Sequence, residues 1–71
     1  MFDFARLKGR IREICSTDTA FAQAMGLNRS TISERLNGKS DFSADEIWKA
    51  CQILHISADQ IGDYFFREKS C

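Results

Sequence analysis

Four residues at fixed spacing, Ala22, Gly26, Leu27 and Ile32, constrain the fold of this 71-residue chain more than any other feature. Two short helices that cross closely need a small side chain at the crossing, and Ala22 supplies one. The chain must then turn sharply through a residue that tolerates positive φ, as Gly26 does. Leu27 can plug that turn, and Ile32 can anchor the next helix in the core. The spacing therefore predicts a helix-turn-helix.

Apolar residues at intervals of three and four predict an amphipathic helix before the motif. Asp3 is its expected N-cap. Its apolar stripe consists of Phe4, Leu7, Ile11 and Ile14. Ser16 or Thr17 is expected to cap the second helix, which ends at about residue 25.

The third helix is predicted over residues 29–36, with Asn28 as its cap and Asn37-Gly38 at its end. Leu36 lies four residues after Ile32, so both are expected to face inward and Arg35 is expected at the edge.

Two capping boxes predict two further helices. Ser43 with Glu46 and Ser57 with Gln60 have the spacing in which each side chain caps the other's backbone. The fourth helix should bury Ile47, Cys51 and Leu54, with Trp48 at the core edge, and the fifth should end at about residue 61. Three adjacent aromatic residues, Tyr64, Phe65 and Phe66, follow. They are expected to pack internally, with pairing to another chain as the alternative.

Composition agrees with one all-α domain over residues 1–71, with the motif at about 18–37 and a tail at 63–71. Hydrophobic residues make up 44% of the chain, and proline is absent. No apolar run can span a membrane, and the amino terminus does not resemble a secretion signal, so a cytoplasmic location is expected.

Metal, cofactor and enzymatic roles are not expected. The three cysteines, Cys15, Cys51 and Cys71, are widely spaced, and His55 is the single histidine. A zinc site needs ligands in paired spacing, and His55 has no nucleophile at motif spacing, so it fits a helix end.

The net charge is zero, but the charges are unevenly distributed. Residues 1–40 hold seven Lys or Arg against four acids, whereas residues 41–71 hold three against six. The basic half therefore contains the motif. Zero net charge weighs against DNA binding, because affinity for DNA depends on neutralising phosphates.

Several short stretches resemble a known family. Residues 21–39 read FAQAMGLNRSTISERLNGK, with LKGR before them, and DEIWKA and YFF after them. The chain resembles the short phage repressor/Cro-like helix-turn-helix regulators of lambda repressor-like fold, of the type found in phages of Gram-positive bacteria. The resemblance covers about residues 4–62, and it implies a compact five-helix domain that acts in a bacterial host cell.

The resemblance also implies DNA contacts by position. The 29–36 helix would enter the major groove of a double-stranded operator. Its base-reading residues would be Arg29, Ser30, Ser33 and Glu34. Its phosphate-contacting residues would be Thr19, Arg35, Asn37, Lys39 and Ser40.

Two functions remain open from the residues. The main hypothesis is a transcriptional regulator that binds operator DNA, as a weak homodimer on a two-fold site. The alternative is an antirepressor or modulator that binds a partner repressor and blocks or alters its DNA binding. Asp18 and Glu34 favour the alternative, because carboxylates at the DNA-reading surface repel phosphate and complement a basic partner.

Overall fold

Five α-helices connected by short turns form residues 2–68, the part of the chain that the computed structural model describes. They are α1 (Ala5–Cys15), α2 (Asp18–Met25), α3 (Arg29–Leu36), α4 (Ala44–Leu54) and α5 (Ile61–Phe65), with a 3₁₀ turn at Ala58–Gln60. No strand occurs in residues 2–68, where the only β pairing is an isolated bridge between Phe2 and Glu68. The predicted all-α, five-helix architecture is confirmed. The last helix extends to Phe65, beyond its predicted end, because the aromatic tail continues it.

The starts of α2 and α4 follow the predicted cap chemistry. At α1 the cap position is Phe4 and not the predicted Asp3, whose Oδ1 accepts a hydrogen bond from the Ala5 N–H (2.9 Å). Thr17 accepts a hydrogen bond from the Ala20 N–H (3.1 Å), which satisfies one free amide of α2. The capping box of Ser43 and Glu46 at α4 is complete in both directions, at 2.9 and 3.2 Å. Asn28 occupies the cap position of α3, but its side chain makes no capping bond within the described part of the chain.

The core lies where α1, α2 and α4 meet, with α3 packed against α2 and α5 packed against α1. Its fully buried large side chains are Phe21, Phe65, Leu7, Ile11, Ile32 and Leu54. The predicted inward residues Ala22 and Leu36 are also buried, at 2% and 5% exposure. Burial of these apolar side chains is the main force that holds such short helices together.

The turn between α2 and α3 has the predicted geometry. Gly26 is left-handed with φ 73°, and the Leu27 N–H donates to the carbonyl of Ala22 (2.9 Å). Leu27 is half-buried against the core. The helix-turn-helix is therefore present with the spacing that the sequence predicts.

Two predicted positions of apolar side chains differ from the structure. Ile14, which was expected in the core stripe, is 39% exposed at the end of α1. Trp48, which was expected at the core edge, is 67% exposed. The inner face of α4 is formed by Ala50, Cys51 and Leu54, with Ile47 packed against the core, and the indole lies outside this face.

The aromatic tail packs internally in part. Phe65 is buried, Tyr64 is half-buried, and Phe66 is 50% exposed. The tail pairs with the amino-terminal segment, since the Asp3 N–H donates to the carbonyl of Arg67 (2.6 Å). The two ends of the described chain thus lie side by side.

Cys15 is half-buried and Cys51 is buried, and burial raises the pKa of both thiols. Cys71 lies outside the described residues. Within residues 2–68 no helix is long and apolar enough to cross a membrane. The same residues bring together no group of three or more His, Cys, Asp or Glu side chains that could hold a metal ion.

One chemical change at two glycines should have opposite effects on stability. Gly26→Ala places a side chain at φ 73°, which should lower the free energy of unfolding by about 1–2 kcal/mol. Gly9→Ala lies inside α1 with nothing within 4 Å of the new Cβ, and it should raise that free energy by roughly 0.5–1 kcal/mol. Urea unfolding followed by circular dichroism measures both. Equal effects of the two substitutions would contradict the proposed turn.

Candidate interaction surface of the helix-turn-helix

The outer face of α3 presents the four residues that were predicted to read bases. Arg29, Ser30, Ser33 and Glu34 are all exposed. Arg29 and Glu34 have opposite charges, so this face is neutral where its side chains project. The structure brings the four residues together on one surface, and their role stays a prediction.

Arg35 is engaged within the fold. Its guanidinium donates to both carboxylate oxygens of Glu46 on α4, at 3.1 and 3.3 Å. The two side chains are 21% and 18% exposed, so the pair is largely shielded from solvent. A phosphate contact by Arg35 would have to replace Glu46.

Glu46 has two structural roles at once. One of its oxygens accepts the Ser43 N–H, and the same carboxylate pairs with Arg35. The hydrogen bond from Arg35 holds the pKa of Glu46 below its ordinary value and raises the pKa of Arg35. The sequence showed the capping box but not the ion pair, because nothing local to either residue identifies a partner eleven positions away.

The loop after α3 contains the remaining residues that were predicted to contact phosphate, apart from Thr19, which is exposed near the start of α2. Asn37 donates from its amide to the Ser33 hydroxyl (3.2 Å), so it is held against α3. Lys39 is exposed and Ser40 is half-buried, and the amides of both donate to the Glu34 carbonyl (3.0 and 3.4 Å). Lys39 is the one cation among residues 37–41, so it is the side chain of this loop that could pair with a phosphate.

A carboxylate lies at the start of α2. Asp18 is the first residue of that helix, and its Oδ1 is buried without a hydrogen-bond partner in the described chain. In the predicted DNA complex this end of α2 would face phosphate, and a carboxylate there opposes a phosphate.

Other basic side chains of the amino-terminal half also serve the fold. Arg10 donates to the carbonyls of Leu54 and His55 (2.9 and 3.4 Å) and so satisfies the end of α4, where His55 takes a left-handed conformation. Arg6 lies 3.8 Å from Asp63 on α5. Fewer basic side chains near the motif are therefore free at the surface than the sequence suggests.

The geometry defines a small five-helix protein that displays a helix-turn-helix with a nearly neutral outer face. A family model described as "Protein of unknown function (DUF739)" matches residues 1–68. The chain belongs to this family.

A solved structure agrees closely with this fold over nearly the whole chain. The chain is similar to the modulator of repression (MOR) of the temperate bacteriophage TP901-1 from Lactococcus lactis, known from a solution structure. The two are 41% identical, the match covers 99% of this chain and 95% of that one, and the TM-score is 0.83. A comparison with curated proteins finds no match.

These findings correct the family that the sequence resemblance implied. Membership of the phage repressor/Cro-like family is wrong, because the matching family model and the matching structure belong to a different group. The misleading residues were those of the motif. A small residue, a glycine, a plug and an anchor at this spacing are required by any helix-turn-helix, so they identify the motif and not the family.

The Arg35–Glu46 pair predicts a pH-dependent stability. A carboxyl whose pKa is lower in the folded state stabilises the fold above its unfolded pKa, and this contribution is lost as the pH falls through its folded pKa. Glu46→Gln retains a side chain that can cap but removes the charge. We expect the thermal midpoint of this variant to be lower than that of the wild type at neutral pH. The difference should shrink as the pH falls from about 5 to about 2.5.

Thermal unfolding followed by circular dichroism across this pH range checks the expectation. Glu13→Gln is the matched control. Glu13 is exposed, and its contact with the partly exposed Arg10 is a single long approach of 3.6 Å that contributes little to stability. A difference between Glu46→Gln and the wild type that does not change with pH would show that the charge of Glu46 is not what stabilises the fold.

Proposed function

We propose that this protein is a phage-type regulator that binds a partner repressor and blocks or alters the binding of that repressor to DNA. The observation that carries the proposal is the 41% identity to a phage modulator of repression over 99% of the chain. A match of this extent includes the whole helix-turn-helix surface as well as the core.

The electrostatics of the surface support a protein partner. A DNA-binding domain depends on cations placed opposite phosphates, and its affinity falls steeply with salt because those contacts release counterions. Here Arg35 is paired with Glu46, and Asp18 and Glu34 add negative charge beside the motif. Arg29 and Lys39 remain exposed there, and the exposed Lys49 has its Nζ beside Gly26 of the turn.

A repressor offers the complementary surface. Its DNA-reading face must be basic, so a neutral-to-acidic helix-turn-helix face with polar side chains fits it better than it fits DNA. Within this proposal Glu34 is the residue on α3 that pairs with a partner cation.

Direct operator binding is the second candidate, and the exposed Arg29 at the first turn of α3 favours it. Arginine in this position can bond to both acceptors of guanine in the major groove. The two candidates differ in what the purified protein does alone.

Fluorescence anisotropy with labelled operator DNA and the repressor encoded on the same genome separates them. We expect the protein alone to show no sequence preference at micromolar concentration, and to change the operator affinity of the repressor when added to it. Sequence-selective binding by the protein alone that weakens with salt, and is lost in Arg29→Ala, would establish the second candidate instead.

Glu34→Gln tests the role of the α3 face. We expect its affinity for the repressor to fall by roughly ten-fold at low salt, with a smaller loss at high salt, because a charge pair is removed. Glu13→Gln on α1 makes the same chemical change away from the motif and should leave the affinity unchanged. An unchanged affinity for Glu34→Gln would remove Glu34 from the interface.

A further inference from the structure

A cluster of phenylalanine rings lies where the two ends of the described chain meet. Phe66 and Phe2 contact edge to face with centroids 5.6 Å apart, and Phe2 in turn contacts Phe4 at 6.5 Å. Phe42 joins Phe4 to the buried Phe65, at 5.6 and 5.3 Å. The inner rings belong to the core, but Phe2 and Phe66 remain 41% and 50% exposed.

These rings enclose a small recess, called here the aromatic recess. It is lined by Phe2, Phe4, Asp41, Phe42, Ile47, Phe65 and Phe66 and has a volume of about 40 Å³. Because one water-sized group needs about 10–15 Å³, the recess has room for roughly three such groups, so only a small group such as part of a guanidinium fits.

The otherwise apolar lining includes one negatively charged residue. Asp41 is its one charged residue, and no salt bridge engages Asp41 within residues 2–68. Arg35 lies near enough to Asp41 to be influenced by its charge, but its guanidinium is bonded to Glu46. Aromatic faces attract cations, and a carboxylate on a lining residue can add a directed partner for one.

The recess also lies beside the proposed repressor-binding surface. On its other side Phe2 borders a wider recess of about 250 Å³, which reaches Leu36 and Asn37 at the end of α3. A partner that covers the wider recess therefore reaches both the carboxyl end of α3 and the aromatic recess.

We infer that the aromatic recess binds an arginine side chain of the protein partner, with the guanidinium against Phe2 and Phe66 and paired with Asp41. The inference rests on the proposed function for the identity of the partner, the repressor. It is carried by charge complementarity, since a DNA-reading surface is rich in arginine and the recess is lined by phenylalanines and one aspartate. An apolar side chain of similar size would fill the recess but leave Asp41 without a partner.

The recess can be tested without any partner. The ¹⁵N- and ¹³C-labelled full chain is titrated with N-acetyl-arginine amide and, separately, with N-acetyl-leucine amide at matched ionic strength. We expect arginine amide to shift the ring resonances of Phe2 and Phe66 and the amide of Asp41, and leucine amide to shift them at least three-fold less. Equal shifts from both probes, or none from arginine amide, overturn the inference.

The partner is then tested with purified repressor by isothermal titration calorimetry. Asp41→Asn should weaken binding roughly three- to ten-fold at low salt, and Phe66→Leu, which keeps an apolar side chain but removes the ring, should weaken it by a similar factor. Asp45→Asn is the matched control, because Asp45 is exposed and lies outside both recesses. Wild-type affinity in both Asp41→Asn and Phe66→Leu overturns the inference while the proposed function stands.

The two proposals fail in different ways. If the wild-type chain does not bind the repressor but arginine amide still shifts the recess, the proposed function is wrong and the recess remains an arginine site. Asp41 and Phe66 are both exposed and neither belongs to the core, so we expect both variants to fold. Circular dichroism of each variant checks that the fold is intact.

Discussion

The ion pair between Arg35 and Glu46 joins the second helix of the motif to the helix that follows it. The glutamate also caps α4 through Ser43, so one carboxylate sets both the start of α4 and its contact with α3. A helix of eight residues such as α3 is not stable alone and needs tertiary contacts to persist. Ile32 and Leu36 supply the apolar contacts of α3, and Arg35 supplies its polar one.

The same pair influences what the surface can bind. A guanidinium that is held by a carboxylate inside the fold is not offered to phosphate, so the helix-turn-helix presents a shape suited to DNA with few of the charges that DNA requires. Arg10 shows the same pattern at the end of α4, where it satisfies backbone carbonyls. A fold of this kind can serve more than one type of partner, and the arrangement of charges on it decides which. That is the physical basis for preferring a protein partner.

Local signals predicted the fold well and the family poorly. The cap residues Thr17 and Ser43 act only on amides within a few positions, so their chemistry is readable from sequence. The spacing of Ala22 and Gly26 identified the turn for the same reason. Unrelated proteins share the geometry that these residues indicate. They could therefore identify the helix-turn-helix, but they could not identify the repressor family. Trp48 was misplaced because periodicity shows which side of a helix is apolar but not how wide the core is.

The sequence by itself determined the five helices, the position of the motif and most of the core, because each depends on contacts within a few residues or on the period of a helix. Only the tertiary structure decided which charges are free and where the aromatic tail lies. Arg35 meets Glu46, and Phe2 meets Phe66, across separations that no local pattern encodes. Both contacts form only after the helices pack, since packing alone brings distant side chains within reach. The charges and rings of the functional surface are therefore decided by tertiary packing and cannot be predicted from local sequence patterns.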